Sequence, residues 1–224
     1  MPTNLDKFQK IISVVICSFS NFEKKEEDMN YDILINLIIV INIVLTFSAN
    51  IPLASFSFKK KLQPVLTKAN SYLQNAPKFI SAIIFLMIIA GLFGIGKIEF
   101  ENQSLNVIRI LAALLYSFFS WIQIYSAKQL GEFYSPDIVV YKNHKVVDKG
   151  LYKIIRHPFY VSQIMQDLFA GIALANWIIL LLTVVIEIPL YIGRTNLEEK
   201  LLVKNLQEYE DYQKRVGKWL PKFR

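Results

Sequence analysis

Several common chemistries are excluded by what the chain lacks. Its 224 residues hold a single cysteine, Cys17, so an internal disulfide and a multi-cysteine zinc site are both ruled out. Two histidines, His144 and His157, are too few for a histidine-built metal centre, and no metal is expected. Charged residues make up only 19% of the chain against 54% hydrophobic ones, and the mean hydropathy is positive. That shortage of charge excludes an ordinary soluble domain and points to several membrane spans. The charge that is present leans basic, with a formal net charge of +7. The lysines and arginines lie in loops between apolar runs, so the lipid bilayer with its anionic surface is the expected partner, not nucleic acid.

The apolar runs divide the chain into three regions. Residues 1–30 contain only a nine-residue run, Ile11 to Phe19, too short to cross a bilayer. As a signal-peptide core it is poorly flanked by Lys7 and Lys10, with no small-residue cleavage site after it. A second reading takes Met29 as the natural start, because Lys25-Glu26-Glu27-Asp28 takes purine-rich codons like a ribosome-binding site; the residues before it are then poorly ordered. Residues 31–127 read as three spans: about Ile33 to Phe56, Phe79 to about Ile98, and Leu105 to Ala127. Asn36, Asn42 and Asn50 are expected to face neighbouring helices, and Gly91, Gly94 and Gly96 to permit close helix packing. Arg109 is expected to snorkel to the headgroups, and the linker with Pro64 and Pro77 to lie as an amphipathic segment at the interface.

Residues 128–224 carry the polar motifs. Gly150-Leu151-Tyr152-Lys153-Ile154-Ile155-Arg156-His157-Pro158-Phe159-Tyr160 is basic, and an apolar run begins directly after it. Pro158 has no N–H and a pre-set φ, so it suits the first turn of a helix. Arg156 and His157 then sit at a helix mouth, where the dipole favours an anion. Val161 to Tyr191 is 31 mostly apolar residues, too long for one span, and Asn176 breaks it into a tight helical hairpin. Arg194 to Arg215 has neither Gly nor Pro, so Trp177 to Arg215 is expected as one helix of about 58 Å, kinked near Pro189. The fold class expected is all-α and integral to the membrane, with about five transmembrane helices, a C-terminal helical hairpin and a cytoplasmic helix extension. Nineteen Lys and Arg fall in 59–78, 128–160 and 194–224, against five in 1–30 and around Lys97. The positive-inside rule therefore places the C-terminus and the basic motif in the cytoplasm.

Gly150-x-Tyr152-x-x-x-Arg156-His157-Pro158-x-Tyr160, the hairpin, Arg194-x-x-x-Glu198-Glu199-x-x-Leu202, Tyr209-x-x-Tyr212 and Arg215-Val216-x-x-Trp219-Leu220-Pro221 together resemble the isoprenylcysteine carboxyl methyltransferase family over roughly residues 128–223. Membrane phospholipid and small-thiol methyltransferases share this half. The resemblance implies S-adenosylmethionine bound on the cytoplasmic side and an apolar or lipidic acceptor arriving from the bilayer. It implies cofactor binding by Gly150, Tyr152, Arg156, His157, Pro158, Tyr160, Glu198 and Glu199, with His157, Arg194 and Glu198 as catalytic residues. The residue chemistry agrees. Arg156 and the helix opening at Pro158 suit a carboxylate. Glu198 or Glu199 suits an ammonium or ribose hydroxyls. Tyr152 and Tyr160 offer ring faces to a sulfonium, and Gly150 allows close backbone approach.

The acceptor stays open among an isoprenylcysteine-type carboxylate, a small thiol and a phospholipid amine; the last two would require a base, with His157 nearest. The first three spans are expected to line its entrance. Leu151 stands where the family often has proline, and Asn205-Leu206 where a Phe-Gly pair is common. Membrane sterol reductases that use NADPH have similar tails, usually with Asp-Glu and a cysteine in the last helix; Glu198-Glu199 without a cysteine argues against them. A non-catalytic membrane scaffold is the remaining class. Tyr209, Tyr212, Val216 and Trp219 read as a packing stripe. Asp167 and Glu187 lie in the hairpin arms, either bonded within the bundle or lining an acceptor tunnel. Nothing in the sequence speaks to oligomeric state.

Overall fold

The structure, a computed structural model, describes residues 30–50, 64–99 and 104–222. The readings of residues 1–29 and of the lysine run at 59–61 fall outside the described residues. The fold is mostly helical: α1 (Asn30–Asn50), α2 (Ala76–Leu92), α3 (Ser104–Leu130), α4 (Pro158–Ala173), α5 (Trp177–Asn205) and the short α6 (Tyr209–Arg215). α1, α3 and α5 are long and apolar enough to cross a membrane, whereas α2 has 17 residues and α4 has 16.

The helices turn their apolar side chains two ways. Leu37, Phe47, Leu111, Phe118 and Leu181 point outward and are exposed, as lipid-facing residues must be. Ile35, Ile39, Ile84, Ala113, Ala170 and Ile179 form the buried core between helices. Lipid gives helices no hydrophobic reason to associate, so close contact at small residues and interhelical hydrogen bonds do the work. Asn36 accordingly donates to Leu92 O at 3.1 Å and Asn42 to Ser120 Oγ at 3.2 Å, whereas Asn50 is exposed.

Asn176 decides the geometry of the last two long helices. α4 ends at Ala173, Ala175 takes a left-handed φ of 52°, and Asn176 caps α5 by accepting from the N–H groups of Ile178 and Ile179. Its side-chain amide donates to Ile95 O at 2.7 Å, pinning this turn to the loop after α2. Inside α5, Leu182–Glu187 is a π-helical turn. Pro189 follows and cannot donate to the carbonyl of Val185, so the regular ladder is already broken there.

Four expectations need correction. α2 stops at Leu92, not Ile98: Gly94 and Gly96 take φ of 82° and 76° and form a turn, and only Gly91 serves close packing, against Leu174 and Asn176. Arg109 does not snorkel. It is buried and bonds Asp32 Oδ1 at 2.6 Å, Ala173 O at 3.0 Å and Asn106, because Asp32 on α1 supplies the counter-charge that lipid headgroups would otherwise provide. The all-α reading misses a two-stranded antiparallel sheet, in which β1 (Val65–Lys68), from the linker expected at the interface, pairs with β2 (Val139–Tyr141) from the polar segment before α4. Strands this short leave no periodic signature, and their partners are more than 70 residues apart. Trp177 to Arg215 is not one helix: α5 ends at Asn205, and Leu206, Tyr209, Tyr212 and Val216 fold back onto Leu202, Val203 and Val146. Burial of that cluster overrides good helix propensity. Among the described residues, the start of α2 and the end of α3 reach the main cavity, and the expected end of the first span at 51–56 lies outside the described residues.

Candidate functional site

Two polar stripes face each other where α4 and α5 run side by side. On α4, Tyr160, Gln163 and Asp167 follow one another at helical spacing; on α5, Glu187, Tyr191, Arg194 and Glu198 do the same. The chains are antiparallel, so Tyr160 meets the Arg194–Glu198 end and Asp167 meets the Glu187 end. Tyr160 Oη donates to Glu198 Oε2 at 2.7 Å and accepts from Arg194 Nε at 3.0 Å, and its ring packs on Tyr191 with centroids 5.0 Å apart.

The head of α4 is built as its sequence suggests, with His157 at the cap position and Pro158 in the first turn. Arg156 and His157 do not wait for a ligand there. Glu199 Oε1 accepts from Arg156 Nε at 2.8 Å and from His157 Nε2 at 2.9 Å, and Lys218 stands 3.3 Å from Oε2. Arg156 also donates to the carbonyls of Gln213 and Val216. The returning tail therefore locks against this segment: Arg156 N donates to Gly217 O at 2.8 Å, and Trp219 lies against the His157 ring.

Arg194 is a tie. Buried to 3% exposure, it donates to the carbonyls of Leu73, Gln74 and Pro136 and so binds the loops before α2 and before β2 to α5. Asp137 beside it pairs with Lys68 at 2.8 Å and with Lys78. Burial pushes the Asp137 carboxyl up, but hydrogen bonds from the two lysines outweigh it and hold the group below its ordinary value. Tyr152 is driven the other way: burial raises its hydroxyl well above the usual value, and the Glu198 carboxylate adds to that.

These elements enclose a cavity of about 280 Å³. Of the residues nominated from sequence, Tyr152, Arg156, His157, Tyr160, Arg194 and Glu198 line it, while Gly150, Pro158 and Glu199 do not. Gly150 is glycine for another reason. Its φ is 57° and an added Cβ would stand 1.8 Å from the side chain of Gln129, which accepts from Leu151 N at 2.9 Å; it makes room for Gln129, not for a ligand. Residues that the sequence reading left out also form the wall, among them Ser81, Asp137, Gln163 and Tyr191. Gln163 and Tyr191 were detectable as members of the two stripes; Ser81 and Asp137, on distant segments, were not.

The stretch that supplies α4, β2, most of α3 and nearly all of α5 is recognisable by comparison. Residues 111–204 match the model of the Isoprenylcysteine carboxyl methyltransferase (ICMT) family. That stretch belongs to this family. The match covers less than half of the chain, and the helices α1, α3 and α5 are long and apolar enough to cross a membrane. No curated protein matches the chain. Part of the site lies outside the ICMT-family segment: Ser81 and Lys78 come from α2, and Tyr212, Val216 and Trp219 from the tail.

Proposed function

We propose that the protein transfers a methyl group from S-adenosylmethionine to an apolar or lipidic acceptor delivered from the bilayer. The observation that carries this reading is that the family-matched stretch folds its charged residues around one cavity at the head of α4. The donor set suits the cofactor. Tyr152 and Tyr160 present ring faces for a sulfonium. Glu198, held by Tyr160, is a carboxylate for an ammonium or ribose hydroxyls, and Lys145 is a cation on the wall for a carboxylate, next to an Arg156 already engaged by Glu199. At about 280 Å³ the space is near the lower end for a small-molecule site.

When bound, the cofactor supplies a methyl already activated by positive sulfur. The chain's own residues then have to orient and to exclude water. Glu199 fixes Arg156 and His157, and Tyr160 fixes Glu198. Arg194 acts through Tyr160 and the two loops it ties down, as a positioning residue. In the bilayer we place five crossings, α1 to α5, with the shorter α2 and α4 tucked among the longer helices. The cavity and the C-terminus face the cytoplasm, in keeping with the nineteen-to-five distribution of Lys and Arg. The bundle itself has two distinct ends: Asp32, Lys97, Arg109 and Asn176 at one, and the cavity at the other.

Calorimetry on the purified protein tests the reading. Saturable binding of S-adenosylhomocysteine, weakened in Glu198→Gln, is the expected result; binding of NADPH in its place would overturn it.

A further inference from the structure

Four polar residues of the α2–α4–α5 contact have no task in holding the cofactor: Ser81, Asp167, Glu187 and Tyr191. Glu187 is 0% and Asp167 2% exposed, on helices whose outer faces are apolar. Acids at such positions are costly and persist where they have a use. Ser81 Oγ connects them to the cavity. It donates to Glu187 Oε1 at 3.1 Å and lies 3.0 Å from Tyr191 Oη, and both Ser81 and Tyr191 line the cavity. The second oxygen, Glu187 Oε2, is fully buried and meets no donor. Asp167 is its neighbouring acid, steadied by Gln163 Nε2 at 2.8 Å, and Gln163 in turn by Gln123. Among the described residues neither acid is paired with a lysine or arginine. Two adjoining carboxyl groups, both shut away from water and neither facing a cation, thus stand at the inner end of a hydroxyl chain that opens on the cavity, where they can take up and hand on a proton.

We infer that Tyr191, Ser81 and Glu187 form a proton exit from the cavity, and that the acceptor methylated here carries a protonated amine. The inference rests on the methyltransferase reading and narrows it. A carboxylate acceptor has no proton to lose and no use for such an exit. An ammonium is favoured beside two acids that face no cation, and it must be deprotonated before it can attack. Its N–H proton passes to Tyr191 Oη, whose own proton passes to Ser81 Oγ, whose own passes to Glu187 Oε1. The nitrogen lone pair so freed forms the bond to the methyl carbon, the carbon–sulfur bond breaks with its electron pair left on sulfur, and the positive charge moves from sulfur to the methylated nitrogen. The stored proton returns along the same three groups after product leaves.

The full-length protein in mixed micelles with phosphatidylethanolamine tests this, with free ethanolamine as the parallel arm that separates a membrane-borne amine from a soluble one. Glu187→Gln is expected to keep its affinity for S-adenosylhomocysteine while kcat for the amine falls by about 10²-fold or more, the scale of general-base catalysis. Ser81→Ala is expected to fall similarly and Ser81→Thr to recover, a rescue that a packing role would not require of a hydroxyl. Infrared spectra of the ligand-free protein provide a readout independent of turnover: a buried carboxylic-acid C=O stretch, removed or shifted in Glu187→Gln and displaced in Ser81→Ala. Wild-type turnover in Glu187→Gln, or methylation of a carboxylate or thiol with none of either amine, would overturn the proton exit while leaving the cofactor site standing. Failure of the wild-type protein to bind S-adenosylhomocysteine would overturn both.

Discussion

His157 and Glu199 stand 42 residues apart in the chain and 2.9 Å apart in space. The same glutamate oxygen takes a second hydrogen bond from Arg156, so one carboxylate clasps two consecutive residues at the mouth of α4. The clasp joins α5 to the loop before α4, and the tail at Val216 closes over it.

Glu199→Gln leaves Arg156, whose side chain is 9% exposed, without its counter-charge. Removing one partner of a buried pair costs about 3–5 kcal/mol. A large drop in melting temperature in detergent is expected, with Glu198→Gln showing little, since Glu198 serves the cavity and not the clasp.

Tyr160→Phe keeps the ring but strips Glu198 and Arg194 Nε of their shared hydroxyl. Titration with S-adenosylhomocysteine should show affinity lower by about 1–3 kcal/mol, the scale for a hydrogen bond to a charged group. Unchanged affinity would remove Glu198 from the binding site.

Gly150→Ala places a Cβ on Gln129 and forces a left-handed φ on a residue that resists it. The conformational part alone is about 1–2 kcal/mol. Thermal scans should show Gly150→Ala destabilised, and Gln129→Ala in the same chain should relieve only the clash and not the backbone strain.

Asp137 makes stability depend on pH in a defined sense. Its folded value lies below the ordinary 3.8, so its pairs with Lys68 and Lys78 contribute fully above that pH. The contribution is lost as pH falls through the lowered folded value. Melting measured on an acid series should therefore decline more steeply for wild type than for Asp137→Asn; parallel curves would deny the pairing a role.

Labelling settles the sidedness. With Cys17→Ser as background, Phe93→Cys on the loop after α2 should react with a membrane-impermeant thiol reagent on intact cells, and Lys142→Cys only after permeabilisation. The reverse pattern would invert the proposed topology.

Much of this was legible in local sequence because local physics decides it. Pro158 can only open a helix, Asn176 is a preferred cap, and the hydropathy of 33–50 and 105–127 admits little besides membrane helices. The Arg-His-Pro motif and Glu198-Glu199 marked the two elements of the site for the same reason: charge next to an apolar run needs an explanation. Which glutamate faces the cavity was a different matter. Glu198 and Glu199 differ by about 100° around one helix, and only the packing of α5 on α4 turns one toward the cavity and the other toward Arg156.

The sequence by itself determined that this chain is helical, apolar enough for a bilayer, and polar at the head of one short helix. Tertiary structure alone decided what the polar residues do there. Arg109 is buried because Asp32, 77 residues away, meets it; β1 exists because β2 pairs with it; and Ser81 joins Tyr191 to Glu187 because α2 packs on α5. Propensity and hydropathy are sums over neighbours in the chain. The partner of a buried charge is a neighbour in space, and close packing of the helices selects it.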